Sequence, residues 1–417
     1  MRKGTAIVAV VAALAAAQAA QAADKIVLQL AGPAQFEFAG YYAALWQGFY
    51  RSDGLDVTIK PGNAPADPIR AVADDRAQFG VAPAGALVIR AAQGQPLLLL
   101  APIFQRSGAE IYYRADDDYA SPGALAQARV GRLPASNILD IEMATALKAE
   151  GIDPDKINSV PLQPSAAVAA LADRSVDAVP GSAWTFPWLA HEKGFAVKSI
   201  NPADYRVEFY GDALFAAQRF AAAQPRIVRR FRAATLRGWD YALGHPDETA
   251  ARMLQDLPHP PGIADAAGFE HYQAALARAL ARYPAIALGH SNPDRWDRIE
   301  ASLAQAGALV RTADAADFVY DPDAAARHRH DLRSFAELGA ALVVALAVAA
   351  WLAWRWRREG VVGRPAEIAP PMPEPEPPVM PEPPAEPKPA APRPAAADLN
   401  AMLGRLERPI RQMLPHG

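Results

Sequence analysis

An uninterrupted apolar run late in the chain constrains it more than any other feature. Between Arg333 and Arg355 lie 21 residues, Ser334 to Trp354, with Glu337 as their only charge. At about 1.5 Å of rise per residue, a helix of this segment reaches roughly 30 Å, the thickness of a bilayer's hydrocarbon core. Trp351, Trp354 and Trp356 gather at its C-terminal end, and Arg355, Arg357 and Arg358 follow at once. Aromatic residues backed by cations suit a membrane–water boundary, and the cations put that end on the cytoplasmic side. A buried core helix has no use for such a flank. Residues 334–354 therefore read as one transmembrane helix, with an N-terminal body outside the cytoplasmic membrane and a C-terminal tail inside.

The N-terminus agrees with that topology. Arg2 and Lys3 precede an apolar run from Ile7 to Ala17, too short to span comfortably, and Ala20-Gln21-Ala22 offers a small-x-small cleavage site. Residues 1–22 are expected to be a signal peptide. The expected location is the inner membrane, single-pass, with the body in the periplasm. Cysteine is absent, which removes disulfides, thiolate metal sites, a cysteine nucleophile and a lipoprotein anchor. A formal charge of -3 gives no sign of a nucleic-acid partner.

The body, residues 24–331, alternates strand and helix patterns. Lys25 to Leu30 and Leu55 to Ile59 alternate like strands, and Pro96 to Ile103 is an apolar run of strand length. Phe38 to Phe49, Ala66 to Asp75 and Ala86 to Ala92 read as helices, with a short strand at Phe79-Gly80-Val81. The theme repeats with strands at Ala128 to Gly131, Ser159 to Leu162 and Val176 to Val179, separated by helices at Ile138 to Glu150 and Ala166 to Ala172. This order predicts an α/β class with βαβ units and parallel sheet, in two lobes. From Pro225 to Ala306 the pattern is mainly helical. Residues 364–397 hold 14 of the 39 prolines and read as an extended spacer. In residues 398–417, Leu399, Met402, Leu403, Leu406, Ile410 and Met413 recur near helical spacing. That tail reads either as an unstructured end or as an amphipathic docking helix, which Pro409 would kink.

Several segments carry a family resemblance. Gln35-Phe36-Glu37-Phe38-Ala39-Gly40-Tyr41-Tyr42 leads through Gly48-Phe49-Tyr50 to Gly54-Leu55-Asp56-Val57. Ala101 to Ser107, Asn201 to Asp212, Thr235 to Pro246 and Gly289 to Trp296 continue it in order. Together they resemble the periplasmic solute-binding family typified by thiamine pyrimidine synthase and the SsuA-like sulfonate-binding proteins, in particular its membrane-anchored sensor-type members. The resemblance implies a two-lobed Venus-flytrap fold with a small molecule held in the interlobe cleft. Loops at the carboxyl ends of strands converge on such a crevice. Gln35, Phe36 and Tyr41 follow the first strand, Gln105 another, Trp184 a third, and Tyr210 and Asp212 a later loop. A flat heteroaromatic ligand could stack on Phe36, Tyr41, Trp184 or Tyr210 and bond to Gln105 and Asp212, while Tyr41 and Tyr210 could equally be packing residues.

The chain departs from the family pattern. Gly32 and Ala34 stand where sensor-type members carry Trp and His, and Ala82-Pro83-Ala84-Gly85-Ala86 replaces a polar segment. Trp184-Thr185-Phe186-Pro187 replaces a Thr-Asn-Glu-Pro-like one. These changes suit a more apolar ligand, or a pocket given over to protein contact. An enzyme of the thiamine pyrimidine synthase kind is disfavoured, since its cysteine-rich iron site has no counterpart. His191, His245, His259, His271 and His290 show no metal-ligand spacing, and His328-Arg329-His330 reads as a solvated face beside the membrane. No metal and no cofactor are expected. The expected function is a tethered substrate-binding protein for a heteroaromatic or amine metabolite resembling a thiamine pyrimidine precursor. Its partners would be an ABC permease or a separate cytoplasmic signalling protein; the alternative is an envelope interaction protein with a degenerate pocket.

Overall fold

The structure is a computed structural model that describes residues 23–62, 68–309, 311, 315–321 and 324–359. The expected signal peptide, proline-rich spacer and tail lie outside the described residues, as do the side chains of His328-Arg329-His330. The chain separates after Ser334 into two units.

The first unit is built on two five-stranded sheets, each closed by a strand from a crossing of the chain. Strands β1 (Asp24–Gln29), β2 (Leu55–Lys60), β3 (Phe79–Pro83) and β4 (Leu97–Pro102) begin the first lobe. After β4 the chain crosses to a second lobe of β5 (Ala109–Arg114), β6 (Val130–Arg132), β7 (Ser159–Pro161), β8 (Ala178–Ser182) and β9 (Val197–Ile200). It then returns as β10 (Asp212–Ala217), which inserts between β3 and β4. The first sheet runs β2-β1-β3-β10-β4 and the second β7-β6-β8-β5-β9.

The expectation of parallel sheets needs correction. Strand β10 pairs antiparallel with β3 and β4, and β5 pairs antiparallel with β8 and β9. Both sheets are mixed because the strand that follows each crossing enters from the opposite lobe. The crossings lie side by side: Ser107 N–H donates to Phe209 O at 3.0 Å, and Gly211 N–H to Phe104 O at 3.0 Å. They form the hinge.

Helices cover both sheets. In chain order those that position the site are α1 (Ala39–Trp46), α2 (Ala84–Ala92), α3 (Ile138–Ala149), α4 (Phe186–Glu192), α5 (Pro225–Gly244), α6 (Ala266–Ala281) and α7 (Pro293–Gln305). Pro225 opens α5 at its first helical position, where a missing N–H costs nothing. Helices α1 and α5 cross at near backbone contact. A Cβ on Gly238 would lie 2.2 Å from Gly40 O, and one on Gly40 would lie 2.1 Å from the Trp239 ring. Beneath them Phe79 stacks on Phe231 at 3.9 Å between centroids, Phe231 on Tyr50 at 5.0 Å, and the Tyr50 and Thr235 hydroxyls are bonded at 2.9 Å. Such buried aromatic pairs contribute about 1 kcal/mol beyond their area.

Helix α8 (Ala324–Glu359) begins ten residues ahead of the apolar run and continues past it. Its Gly339–Arg358 window is long and apolar enough to cross a membrane, and none of that window is buried. Leu342, Val343, Val344 and Leu346 are each more than half exposed. Arg358 sits over the Trp354 ring at 3.9 Å, and Arg355 over Trp351 at 5.7 Å.

Candidate functional site

Two features converge between the lobes. The first is an open cleft of about 550 Å³. Its first-lobe wall is Ala31, just past β1, with Ala82 and Pro83 at the end of β3 and Ala86 on α2. Its second-lobe wall is Ala135 and Ser136, past β6, with Ile138 and Ile141 on α3. Strand ends therefore build both walls, as is general for open α/β sheets. Gly85 lets the lobes pinch here, because a Cβ on it would sit 2.8 Å from Ile138 Cδ1. Arg90 is the charged residue in the lining, and the Ser136 hydroxyl is among the few polar groups. The segment Ala82-Pro83-Ala84-Gly85-Ala86, where a polar stretch was expected, supplies much of this apolar wall.

The second feature is a sealed cluster of acids and aromatic rings. The turn Phe36–Phe38 after β1 carries Glu37, whose carboxylate accepts from Gln35 Nε2. Asp212, the first residue of β10, lies close to Glu37, and burial pushes both carboxyls up, helped for Glu37 by the charge of Asp212. Two buried acids this close hold a shared proton more readily than two charges. Helix α6 adds Glu270; burial pushes its carboxyl up to about 8, and the nearby Phe36 N–H opposes that shift. Around these lie Tyr41, edge-on to Trp239 at 5.6 Å, then Phe104 at 5.2 Å from Trp239, then Trp184 at 4.9 Å from Phe104. Burial, then Asp212, raises the Tyr41 hydroxyl well above its ordinary range. Tyr41 Oη, Trp239 Nε1, Asp212 Oδ2 and Glu270 Oε2 have no partner of hydrogen-bond geometry, although the Trp239 indole is close enough to oppose the shift at Tyr41. Each such group costs about 1–3 kcal/mol when it is left unsatisfied.

Trp184 reaches this cluster from the second lobe, and its loop is held by α6. Gln273 Nε2 donates to Trp184 O at 2.9 Å, and the Tyr272 hydroxyl to Ala183 O at 2.5 Å. On α4, Trp188 packs on Phe269 and Tyr272 at 5.8 Å each. The lobes are thus in contact along one side of the cleft.

The structure gathers Gln35, Phe36, Tyr41, Trp184 and Asp212 in or beside this cluster, with Phe36 0 %, Trp184 5 % and Asp212 7 % exposed. Gln105 and Tyr210 lie apart, at the hinge. Gln105 Nε2 donates to His290 O at 3.0 Å, and Tyr210 Oη accepts from Asn292 N–H at 3.0 Å while its ring lies under Arg295 at 4.0 Å. None of the seven lines the open cleft. Of the cleft walls, sequence reasoning touched only Ala82 to Ala86, because alanine, proline and isoleucine carry no chemical signal of their own. It also passed over Glu37, Phe104, Trp239 and Glu270, which meet only after folding. Among the described residues no group of His, Asp and Glu could hold a metal ion.

Comparison with known proteins adds relatives. The formylaminopyrimidine-binding protein of Halalkalibacterium halodurans is 24 % identical over 216 residues, covering 51 % of this chain and 64 % of that protein, so less than two thirds of its length is matched. The riboflavin-binding protein RibY of Chloroflexus aurantiacus is 22 % identical over 301 residues, covering 70 % of this chain and 83 % of that one. Both are named as binding proteins rather than enzymes. Among solved structures, the periplasmic aliphatic sulphonate binding protein SsuA from Escherichia coli superimposes with a TM-score of 0.55 at 15 % identity, covering 73 % of this chain and 93 % of that one. The fold is that of periplasmic binding proteins. The family model described as NMT1/THI5 like matches residues 35–249, slightly more than half of the chain, and the protein belongs to that family.

Proposed function

We propose that this protein is a membrane-tethered periplasmic solute-binding protein that closes its lobes on a small, flat, largely apolar heteroaromatic molecule. The observation that carries this reading is the cleft of about 550 Å³ whose facing walls come one from each lobe. That volume falls within the range of about 300–1,000 Å³ usual for small-molecule sites. Small apolar side chains at Ala31, Ala82, Pro83 and Ala86 leave a slot that a planar ring fills, while Arg90 and Ser136 supply orientation. The pyrimidine and flavin named for the two relatives support a heteroaromatic ligand of thiamine-precursor type over an aliphatic one.

Gln35, Phe36, Tyr41, Trp184 and Asp212 lie buried beside the cleft, and the unpartnered Tyr41 Oη and Asp212 Oδ2 become ligand contacts only if the cluster opens. Gln105 and Tyr210 set the hinge. Helix α8 holds the body at the inner membrane with its arginine-rich end in the cytoplasm, which supports delivery of the ligand to an ABC-type permease at the membrane surface.

Thermal unfolding of the full chain in detergent tests this. A ligand at about a hundred times its Kd adds about 2.7 kcal/mol, a rise of about 4 °C in Tm for a body of about 300 residues. Riboflavin, formylaminopyrimidine and thiamine pyrimidine precursors are the expected stabilisers, with alkanesulfonates and polyamines as contrasts. A flat response across the whole panel would overturn the reading and favour an envelope interaction protein.

A further inference from the structure

We propose that the cavity at the hinge is a second binding site, for a small zwitterion carrying an ammonium and a carboxylate a few bonds apart, as an α-amino acid does. The cavity measures about 190 Å³ and lies apart from the cleft, with no lining residue in common. Arg106 and Ser107 on the first crossing and Glu208 on the second form one side; Glu142 on α3 and Arg282, just past α6, complete it.

Glu142 is the built element. It is 2 % exposed, its Oε1 accepts from the Ser107 hydroxyl at 2.9 Å, and its Oε2 has no partner. Ser107 Oγ is itself fixed by Ala109 N–H at 3.1 Å, so the carboxyl is held in one orientation. A buried acceptor left open in this way is rare and calls for a donor.

The cations differ in availability. Arg295 is committed to Glu208 O at 2.9 Å, Gln105 O at 2.7 Å and the Tyr210 ring. Arg106 and Arg282 are exposed, and among the described residues neither guanidinium has a hydrogen-bond or ion-pair partner. A deep open carboxyl with two uncommitted guanidiniums in the lining complements an ammonium at one end and a carboxylate at the other.

Burial pushes the Glu142 carboxyl up to about 8. The charged groups that face the cavity from other elements are Arg106, Glu208, Arg282 and Arg295. At neutral pH the empty cavity therefore keeps Glu142 protonated, and an arriving ammonium displaces that proton to solvent. The site spans both crossings, which Ser107 N–H to Phe209 O joins at 3.0 Å, so an occupant also braces the hinge.

Isothermal titration of the full chain in detergent micelles tests this with L-alanine as probe, and with ethylamine and propionate as its two halves. Alanine should bind with release of a proton, seen as heat that changes with the buffer's ionisation enthalpy at pH 7. Each half should bind at least about tenfold more weakly, and Glu142→Gln should weaken alanine by a similar factor. Arg282→Ala, at an exposed position, should do the same without touching the fold. Absence of alanine binding up to about 10 mM, an affinity unchanged in both variants, or propionate binding as tightly as alanine would each overturn the proposal. Heteroaromatic binding measured on the same variants reports the cleft separately, so failure of one site is distinguishable from failure of the other.

Discussion

Replacing Glu270 by glutamine probes how deeply the acid cluster is desolvated. Glu270 is buried, its Oε2 has no partner, and its pKa is raised from 4.5 to about 8, the nearby Phe36 N–H opposing the shift. Below pH 4.5 the folded and unfolded chains both hold this proton, so the group does not distinguish them. Between 4.5 and about 8 the folded chain holds a proton that the unfolded chain has lost. Stability therefore falls as pH rises through that window, by up to about 1.4 kcal/mol per unit, and levels off above it. The whole window is worth about 5 kcal/mol, and the part from pH 5 to pH 8 about 4 kcal/mol. Glutamine keeps a carbonyl acceptor at the same place and does not titrate. Glu37, Asp212 and Glu142 are common to both proteins and cancel in the difference. Urea unfolding of the full chain, followed by tryptophan fluorescence at pH 5, 6.5 and 8, should show the variant gaining on the parent by about 4 kcal/mol across the range. Parallel stability profiles for the two proteins would refute the argument from burial.

Four further outcomes follow from the structure. Gly238→Ala places a methyl 2.2 Å from Gly40 O, so α1 and α5 must part; a loss of about 1–3 kcal/mol is expected in thermal unfolding. Trp184→Ala removes the ring on Phe104 that ties the second lobe to the first, for a loss of about 3–5 kcal/mol by the same measure. Ala86→Phe fills the cleft from α2, and equilibrium titration should show heteroaromatic binding weakened by roughly 100-fold with Tm nearly unchanged. Truncation after Asp331 removes the exposed apolar window of α8, and the body should then appear in the soluble periplasmic fraction instead of with membranes.

Sequence patterns and structure part company at identifiable places. Strand β2 is legible because one face is buried and the other wet, as in Leu55, Asp56, Val57 and Thr58. Strand β10 has all six residues buried, so it shows no alternation, and Asp-Ala-Leu-Phe-Ala-Ala reads no more like strand than helix. That strand and β5 are the ones that turn parallel sheets into mixed ones, which is why the crossing escaped a reading by local pattern. The site divides similarly. Gln35, Tyr41 and Asp212 stand out as polar groups beside strand ends, whereas Trp239 and Glu270 lie on amphipathic helices where any large side chain reads as packing. The cleft walls are legible only as an absence of polar residues at Ala82 to Ala86.

The insertion of β10 also fixes an order of assembly. Strand β4 takes its ladder from β10 alone among the strands, with Ala213 facing Pro102 and Ala217 facing Leu97. Residues 109–200 hold every strand of the second sheet in one continuous stretch. As the chain lengthens from its N-terminus, the second lobe can complete its sheet while β4 still waits for a partner more than a hundred residues behind it. The lobe begun first is thus finished last, and an apolar strand must stay shielded through that interval.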